Sequence, residues 1–260
     1  MFFGTENTSV AKQVGVVSLP VNVCSFESVV ERIGKTVEQG SGAYICMSTV
    51  HMIMESYDDP EYGAKISAAD MIVPDGMPLV WMQRLKGFRD AGRVRGNDLM
   101  IGLCEYAEKK GLSVGFYGGR AEVVQAILER AAVDYPKLNI AYAYSPPFRN
   151  LSKDEDQRIV TELLEQKPDI LFVGLGCPKQ ERWMYSHRER IPAVMIGIGA
   201  AFDMFAGNLA VCPKSIQDLG LEWLFRLWQE PRRLWKRYFF NNPRFILLAV
   251  SQLLGFRKVN

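Results

Sequence analysis

Between Pro168 and Met184 an apolar strand runs straight into a glycine turn and then a helix start: Pro168-Asp-Ile-Leu-Phe-Val-Gly-Leu-Gly-Cys-Pro-Lys-Gln-Glu-Arg-Trp-Met184. Asp169 to Val173 read as a buried parallel strand, and Gly174 and Gly176 let the backbone turn tightly. Pro178 suits the first helical position, where its missing N–H costs nothing. The helix that follows begins with open N–H groups. Together with the positive end of the helix dipole and Lys179, they make an anion site of the kind α/β proteins use for phosphate. The plainer alternative is an ordinary strand-to-helix turn carrying surface charges. Gly-x-Gly alone does not separate the two, but the full Gly-Leu-Gly-x-Pro-Lys-Gln-Glu string is far more specific.

The 260 residues, 48% hydrophobic and 23% charged, suffice for one sizeable core plus an appendage. A net charge of +2 is too small to imply nucleic-acid binding, although the last forty residues are strongly basic. Five cysteines (Cys24, Cys46, Cys104, Cys177, Cys212) are spread widely without a Cys-x-x-Cys pair, which fits a reducing compartment. His51 and His187 are the only histidines, so no zinc or iron cage is expected. The opening Met1-Phe-Phe lacks the basic flank of a signal peptide, and no uncharged apolar run reaches the about 20 residues that cross a bilayer.

Strand-like and helix-like segments alternate along the chain, the pattern of a mostly parallel sheet flanked by helices. Strands are expected at Ala43 to Ser48, Met71 to Pro74, Leu112 to Tyr117, around Asn139 to Tyr144, at Asp169 to Val173 and at Ala193 to Gly197. Helices are expected from about Val50 to Tyr57, Glu122 to Ala132 and Lys153 to Gln166. In open α/β sheets ligands bind beyond the carboxyl ends of the strands. Asp75, Gly118 and Gly176 all follow such ends and are expected to converge on one crevice.

Five ordered motifs extend the argument: Ala69-Asp-Met-Ile-Val-Pro-Asp-Gly-Met77, Arg95-Gly-Asn-Asp-Leu99, Gly115-Phe-Tyr-Gly-Gly119, the glycine-turn string above, and Gly197-Ile-Gly-Ala-Ala-Phe-Asp203. Through them the chain resembles the WecG/TagA/CpsF family of bacterial glycosyltransferases over roughly residues 15 to 240. The resemblance implies a Rossmann-like core. It also implies inverting transfer of a sugar, N-acetylmannosamine or a related hexose or uronate, from a UDP-sugar to a polyprenyl-diphosphate-linked acceptor. No metal or other cofactor is expected, and the place of work is the cytoplasmic face of the membrane.

Inverting transfer needs a base for the acceptor hydroxyl and a cationic or dipolar cradle for the departing diphosphate. Asp75, after Pro74 at a strand end and matching the family's catalytic aspartate, is the expected base; an Asp here otherwise caps a helix or closes a turn. In Met47-Ser-Thr-Val-His-Met52 the chain departs from a Thr-x-Asn pattern of many members, with Met47 in place of the Thr and Thr49 in place of the Asn. Thr49, Ser48 and His51 are left as candidates for sugar or acceptor contacts, and His51 is the second candidate base. Asp75, Thr49 and Gln180 form the candidate catalytic set.

Tyr117, Gly118, Gly119, Phe202 and Asp203 are the expected neighbours of uracil and ribose, with core packing as the plain alternative for Phe202. Gly174, Gly176 and Lys179 would meet the diphosphate. Gln180 and Glu181 would orient sugar or acceptor, unless Glu181 only complements the helix dipole. Arg95, Asn97 and Asp98 are read as donor-site or acceptor-site groups, or else as a salt-bridged loop.

The chain divides into a core, 1–218, and a C-terminal appendage, 219–260. In the appendage Trp and Phe interleave with Arg and Lys, as in an amphipathic helix at an anionic membrane surface; a helix docked on the core or on a second subunit is the alternative. The resemblance adds that appendage arginines, here Arg226, Arg232, Arg233 and Arg237, complete the site over the diphosphate. Two other classes compete. A dinucleotide-dependent oxidoreductase lacks its Gly-x-Gly-x-x-Gly string. A catalytically silent, membrane-associated nucleotide-sugar-binding module would not need the intact Asp75. The sequence leaves a homo-oligomer open.

Overall fold

A computed structural model describes residues 12–256, so Met1-Phe-Phe and the last four residues of the 219–260 segment lie outside the described residues. The chain begins with a hairpin, β1 (Gln13–Val16) and β2 (Leu19–Asn22), followed by α1 (Phe26–Glu38), β3 (Ala43–Ser48), α2 (Val50–Asp58) and α3 (Pro60–Ser67). Next come β4 (Met71–Pro74), α4 (Met77–Leu85), α5 (Gly96–Lys110), β5 (Ser113–Gly118), α6 (Ala121–Asp134) and β6 (Asn139–Tyr144). Then follow α7 (Lys153–Gln166), β7 (Ile170–Gly174), α8 (Lys179–His187), β8 (Val194–Gly197) and α9 (Ala201–Phe205). Three further helices close the described chain: α10 (Lys214–Asp218), α11 (Glu222–Gln229) and α12 (Pro231–Leu253).

Six strands form one sheet in the order β4-β3-β8-β7-β5-β6, every neighbouring pair parallel. The register aligns Tyr117 with Val173, Val173 with Gly197 and Gly197 with Cys46, which brings the carboxyl ends of the central strands to one edge. Parallel strands covered on both faces read as continuous apolar runs, and β3, β4 and β8 are buried at every position. Ile45, Phe116, Phe172 and Ile196 pack with Ile33, Leu103, Ile127 and Phe205 of α1, α5, α6 and α9. On the opposite face Tyr44, Cys46, Leu171 and Val173 pack with Ile53, Tyr62, Leu163 and Met184 of α2, α3, α7 and α8.

Local chemistry explains several boundaries. Ser152 caps α7 through a reciprocal box with Glu155 (3.2 and 2.8 Å), and the helix ends at Lys167 in the left-handed region. The expected helix over 153–166 is therefore found as read. At the glycine turn the reading needs correction. Pro178 is the residue before α8 rather than its first helical residue, and the Cys177–Pro178 peptide is cis. The turn thus presents Lys179 as the first residue in helical geometry.

Of the two last helices, α12 packs on α2, and α11 packs on α12. Phe245 and Ala249 of α12 enter the cluster around α2 and the hairpin, where full burial of a large apolar side chain is worth roughly 1.5–3 kcal/mol. The side chain of Gln252 accepts from Val17 N–H at 3.0 Å, and Arg244 makes a two-pronged pair with Asp58 at 2.9 and 2.5 Å. Part of α12 is thus docked on the core. Its remaining surface is apolar and exposed at Trp235, Phe239, Phe240, Ile246 and Leu247. No helix among the described residues is long and apolar enough to cross a membrane.

Candidate active site

Pairing of β3 with β4 continues one step past the strands and fixes Asp75: its N–H donates to the Ser48 carbonyl at 2.9 Å, and Gly76 N–H follows at 3.3 Å. Arg93 Nε donates to the Asp75 carbonyl at 2.6 Å from the other side. The side chain lies in the wall of a cleft of about 950 Å³ between the carboxyl edge of the sheet, α4 and the last two helices. Burial pushes its pKa up from 3.8 to about 6, with Glu222 adding to the rise and Arg93, Arg95 and Arg226 opposing it. A carboxylate of that basicity is poised to exchange a proton near neutral pH.

Thr49 and His51 stand at the start of α2, directly after the strand end to which Asp75 is hydrogen-bonded. Thr49 is its N-cap, with Oγ1 3.5 Å from Met52 N, and both residues line the cleft. Burial, helped by Arg237, pushes the His51 pKa down to about 4, and the Asn241 amide lies 3.2 Å from Nδ1. At neutral pH this imidazole is uncharged and a weak base.

At the glycine turn, Gly176 adopts φ +79°, a conformation that favours glycine. Its N–H donates to Gln180 Oε1 at 3.0 Å, Gln180 Nε2 donates to Glu181 Oε1 at 2.7 Å, and the Tyr62 hydroxyl donates to Glu181 Oε2 at 3.1 Å. The chain of bonds sets which way the Gln180 amide faces. Glu181 is fully buried, and burial raises its pKa against the bonds from Gln180 and Tyr62. Lys179 is exposed and stands outside the cleft lining.

The cleft gathers Thr49, His51, Asp75, Arg95, Asn97, Gly176, Gln180, Glu181, Arg226, Arg233 and Arg237. Its lining does not include Ser48, Asp98, Tyr117, Gly118, Gly119, Gly174, Lys179, Phe202, Asp203 or Arg232. Tyr117 is buried against Trp183, 4.4 Å between ring centroids, and Phe202 is buried edge-on to Phe116. A Cβ on Gly174 would stand 2.4 Å from the Phe202 ring, so these two residues are packed directly on one another. Asp203 faces Arg120 at 3.7 Å, and Arg232 is exposed.

Glu230 pairs with Arg226 at 2.9 Å and with Arg233 at 2.6 Å. Among the described residues, the buried Nε atoms of Arg226 and Arg237 and the Oδ1 of Asn97 have no hydrogen-bond partner. Buried polar atoms left unpaired in a cleft are places where a ligand can gain hydrogen bonds. Arg95 pairs with Asp98 at 3.1 Å, so the salt-bridged loop is present, yet the same guanidinium also lines the cleft. Two residues that sequence reasoning passed over, Arg93 and Glu222, form an ion pair beside Asp75, with Arg95 3.2 Å from the same carboxylate. The available signals were the Arg-x-Arg spacing and the single acid between Leu221 and Gln229.

The model of the glycosyl transferase WecG/TagA/CpsF family matches residues 14–259. The chain is 36% identical over 203 residues to an N-acetylglucosaminyldiphosphoundecaprenol N-acetyl-beta-D-mannosaminyltransferase of Bacillus spizizenii, covering 77% of this chain and 76% of that protein. It is 31% identical over 233 residues to a protein of the same name from Bacillus subtilis, covering 89% and 87%.

Proposed function

The chain belongs to the WecG/TagA/CpsF family of glycosyltransferases, and on that premise we propose that it is an inverting, metal-independent transferase using a UDP-sugar. The sugar is N-acetylmannosamine or a related hexose or uronate, and the acceptor is a polyprenyl-diphosphate-linked saccharide in cell-surface polysaccharide biosynthesis. The names of the two Bacillus relatives support the mannosaminyl donor and the lipid-diphosphate acceptor. The observation that carries the reading is Asp75, a carboxylate with its pKa raised to about 6 at the wall of a cleft otherwise rich in arginine.

In this mechanism the acceptor hydroxyl gives its proton to Asp75 as its oxygen bonds to the anomeric carbon. The bond from that carbon to the UDP oxygen breaks on the opposite face. Negative charge growing on the diphosphate falls to Arg226, Arg233 and Arg237, whose forked guanidinium groups match phosphate oxygens, and to the N-terminus of α8. Gln180, held by Gly176 and Glu181, and Thr49 orient the reacting hydroxyls. Residues 219–260 act as an appendage on the anionic inner face of the cell membrane, with the exposed rings of Trp235, Phe239 and Phe240 at headgroup depth and Arg232 and Lys236 toward lipid phosphates. Mass-spectrometric identification of products from a panel of UDP-sugars and lipid-linked acceptors tests this. A disaccharide on the lipid diphosphate formed from a UDP-sugar supports it, and absence of transfer from every UDP-sugar overturns it.

A further inference from the structure

Glu222 opens α11, 129 residues away from Arg93, and its carboxylate enters the space between two arginines of the loop before α5. Arg93 divides its guanidinium between this carboxylate and the Asp75 carbonyl, 2.6 Å from its Nε. Arg95 divides its own between Asp98, at 3.1 and 3.2 Å, and Glu222, 3.3 Å from Nη2. All three side chains are shielded, with 13%, 8% and 15% of Arg93, Arg95 and Glu222 exposed. Burial would raise the pKa of Glu222, but Arg93 and Arg95 hold it below the usual carboxylate range, so it stays charged.

We propose that Glu222 is a positioning residue for sugar transfer: by bridging Arg93 and Arg95 it latches α11 over the Asp75 end of the cleft and sets the charge that Asp75 faces. The inference rests on Asp75 being the base. Two consequences follow from one contact. Arg93 also grips the Asp75 carbonyl, so the latch holds the strand end that carries the base. The groups facing Asp75 are Arg93 and Arg95 from the loop, with Asp98 of α5 behind Arg95, and Glu222 and Arg226 from α11. His51 on α2, which also lines the cleft, remains neutral at pH 7, its pKa held near 4. With Glu222 removed, the carboxylate that raises the Asp75 pKa against Arg93, Arg95 and Arg226 is gone, and all three arginines favour its ionised, less basic form. Docking of the last helices is thereby coupled to the basicity of a core residue.

The test uses Glu222→Gln and Glu222→Asp in the full chain with a water-soluble acceptor analogue, which takes membrane binding out of the measurement. A displacement of about 1 Å at a reacting group can cost about 100-fold in rate. For Glu222→Gln the expected result is a kcat roughly 10-fold to 100-fold lower, an acid limb of the kcat profile moved to lower pH, and faster amide exchange in α11. Glu222→Asp keeps the charge one methylene short; it should hold the limb near its wild-type position and recover part of the lost kcat. A Glu222→Gln enzyme with wild-type kcat and an unmoved limb overturns the proposal. So does an unmoved limb accompanied by equal kcat losses in both variants, the behaviour of a mere strut. Should the Gln variant not fold, wild-type kcat in Glu222→Asp overturns it. Wild type and Asp75→Asn run alongside: a wild type without transfer, or an active Asp75→Asn, refutes the reading of the site, whereas failure of the Glu222 variants alone refutes only the latch.

Discussion

Replacing Asp75 by Asn should move activity and stability in opposite directions. The carboxyl titrates at about 6 in the folded chain against 3.8 in the unfolded one, so the folded state binds this proton more tightly between those values. Stability therefore falls as pH rises from 3.8 to about 6, and above that the full cost of the buried charge is present. A shift of about 2 units corresponds to about 3 kcal/mol at most. Asn keeps the shape without the charge, so Asp75→Asn should unfold at higher urea than wild type at pH 7.5 and lose that advantage at pH 4. Over the same change transfer should drop about 100-fold to 10,000-fold, the usual contribution of a general base. UDP affinity, measured by calorimetry, should be kept. In the wild type kcat should fall about tenfold per pH unit below about 6, because only the ionised carboxylate accepts the proton. His51→Gln is the control and should leave this limb in place. A near-normal rate for Asp75→Asn on a competent acceptor, or a variant no more stable than wild type at pH 7.5, would refute the reasoning.

Gly174→Ala should destabilise by about 1–3 kcal/mol in urea titration, because its Cβ would lie 2.4 Å from the buried ring of Phe202. Arg237→Ala should cut kcat on a soluble acceptor by about 100-fold, as loss of a donor to developing charge does, while leaving vesicle flotation intact. Arg232→Ala, at an exposed position outside the cleft, should keep soluble-acceptor activity and weaken binding to anionic vesicles by about 1 kcal/mol. Addition of EDTA should leave transfer unchanged; activity lost on chelation and restored by a divalent ion would contradict the arginine cradle.

The order of elements was legible because its causes are local. An unbroken apolar run as short as 170–173, bounded by Gly174 and Gly176 and set between helical patterns, reads as a covered parallel strand, and Ser152 with Glu155 caps a helix using only near neighbours. Asp75 could be placed at a strand end for the same reason. The hairpin of β1 and β2 escaped notice, since strands of four residues carry too few alternations to declare themselves.

Sequence by itself, then, determined the parallel sheet, the glycine turn and the position of Asp75 at the carboxyl edge. Tertiary structure decided what those residues face. Nothing near Asp75 in the chain tells that burial lifts its pKa to about 6, nor does anything near His51 tell that burial and Arg237 lower its pKa to about 4. Desolvation depends on every element that closes over a group, and α11 and α12 arrive from the far end of the chain. Phe202 became a core residue because β7 leaves room at Gly174 for its ring. Glu222 met Arg93 and Arg95 only because α11 folds back onto the loop before α5, contacts between charges 129 and 127 residues apart that no local periodicity encodes.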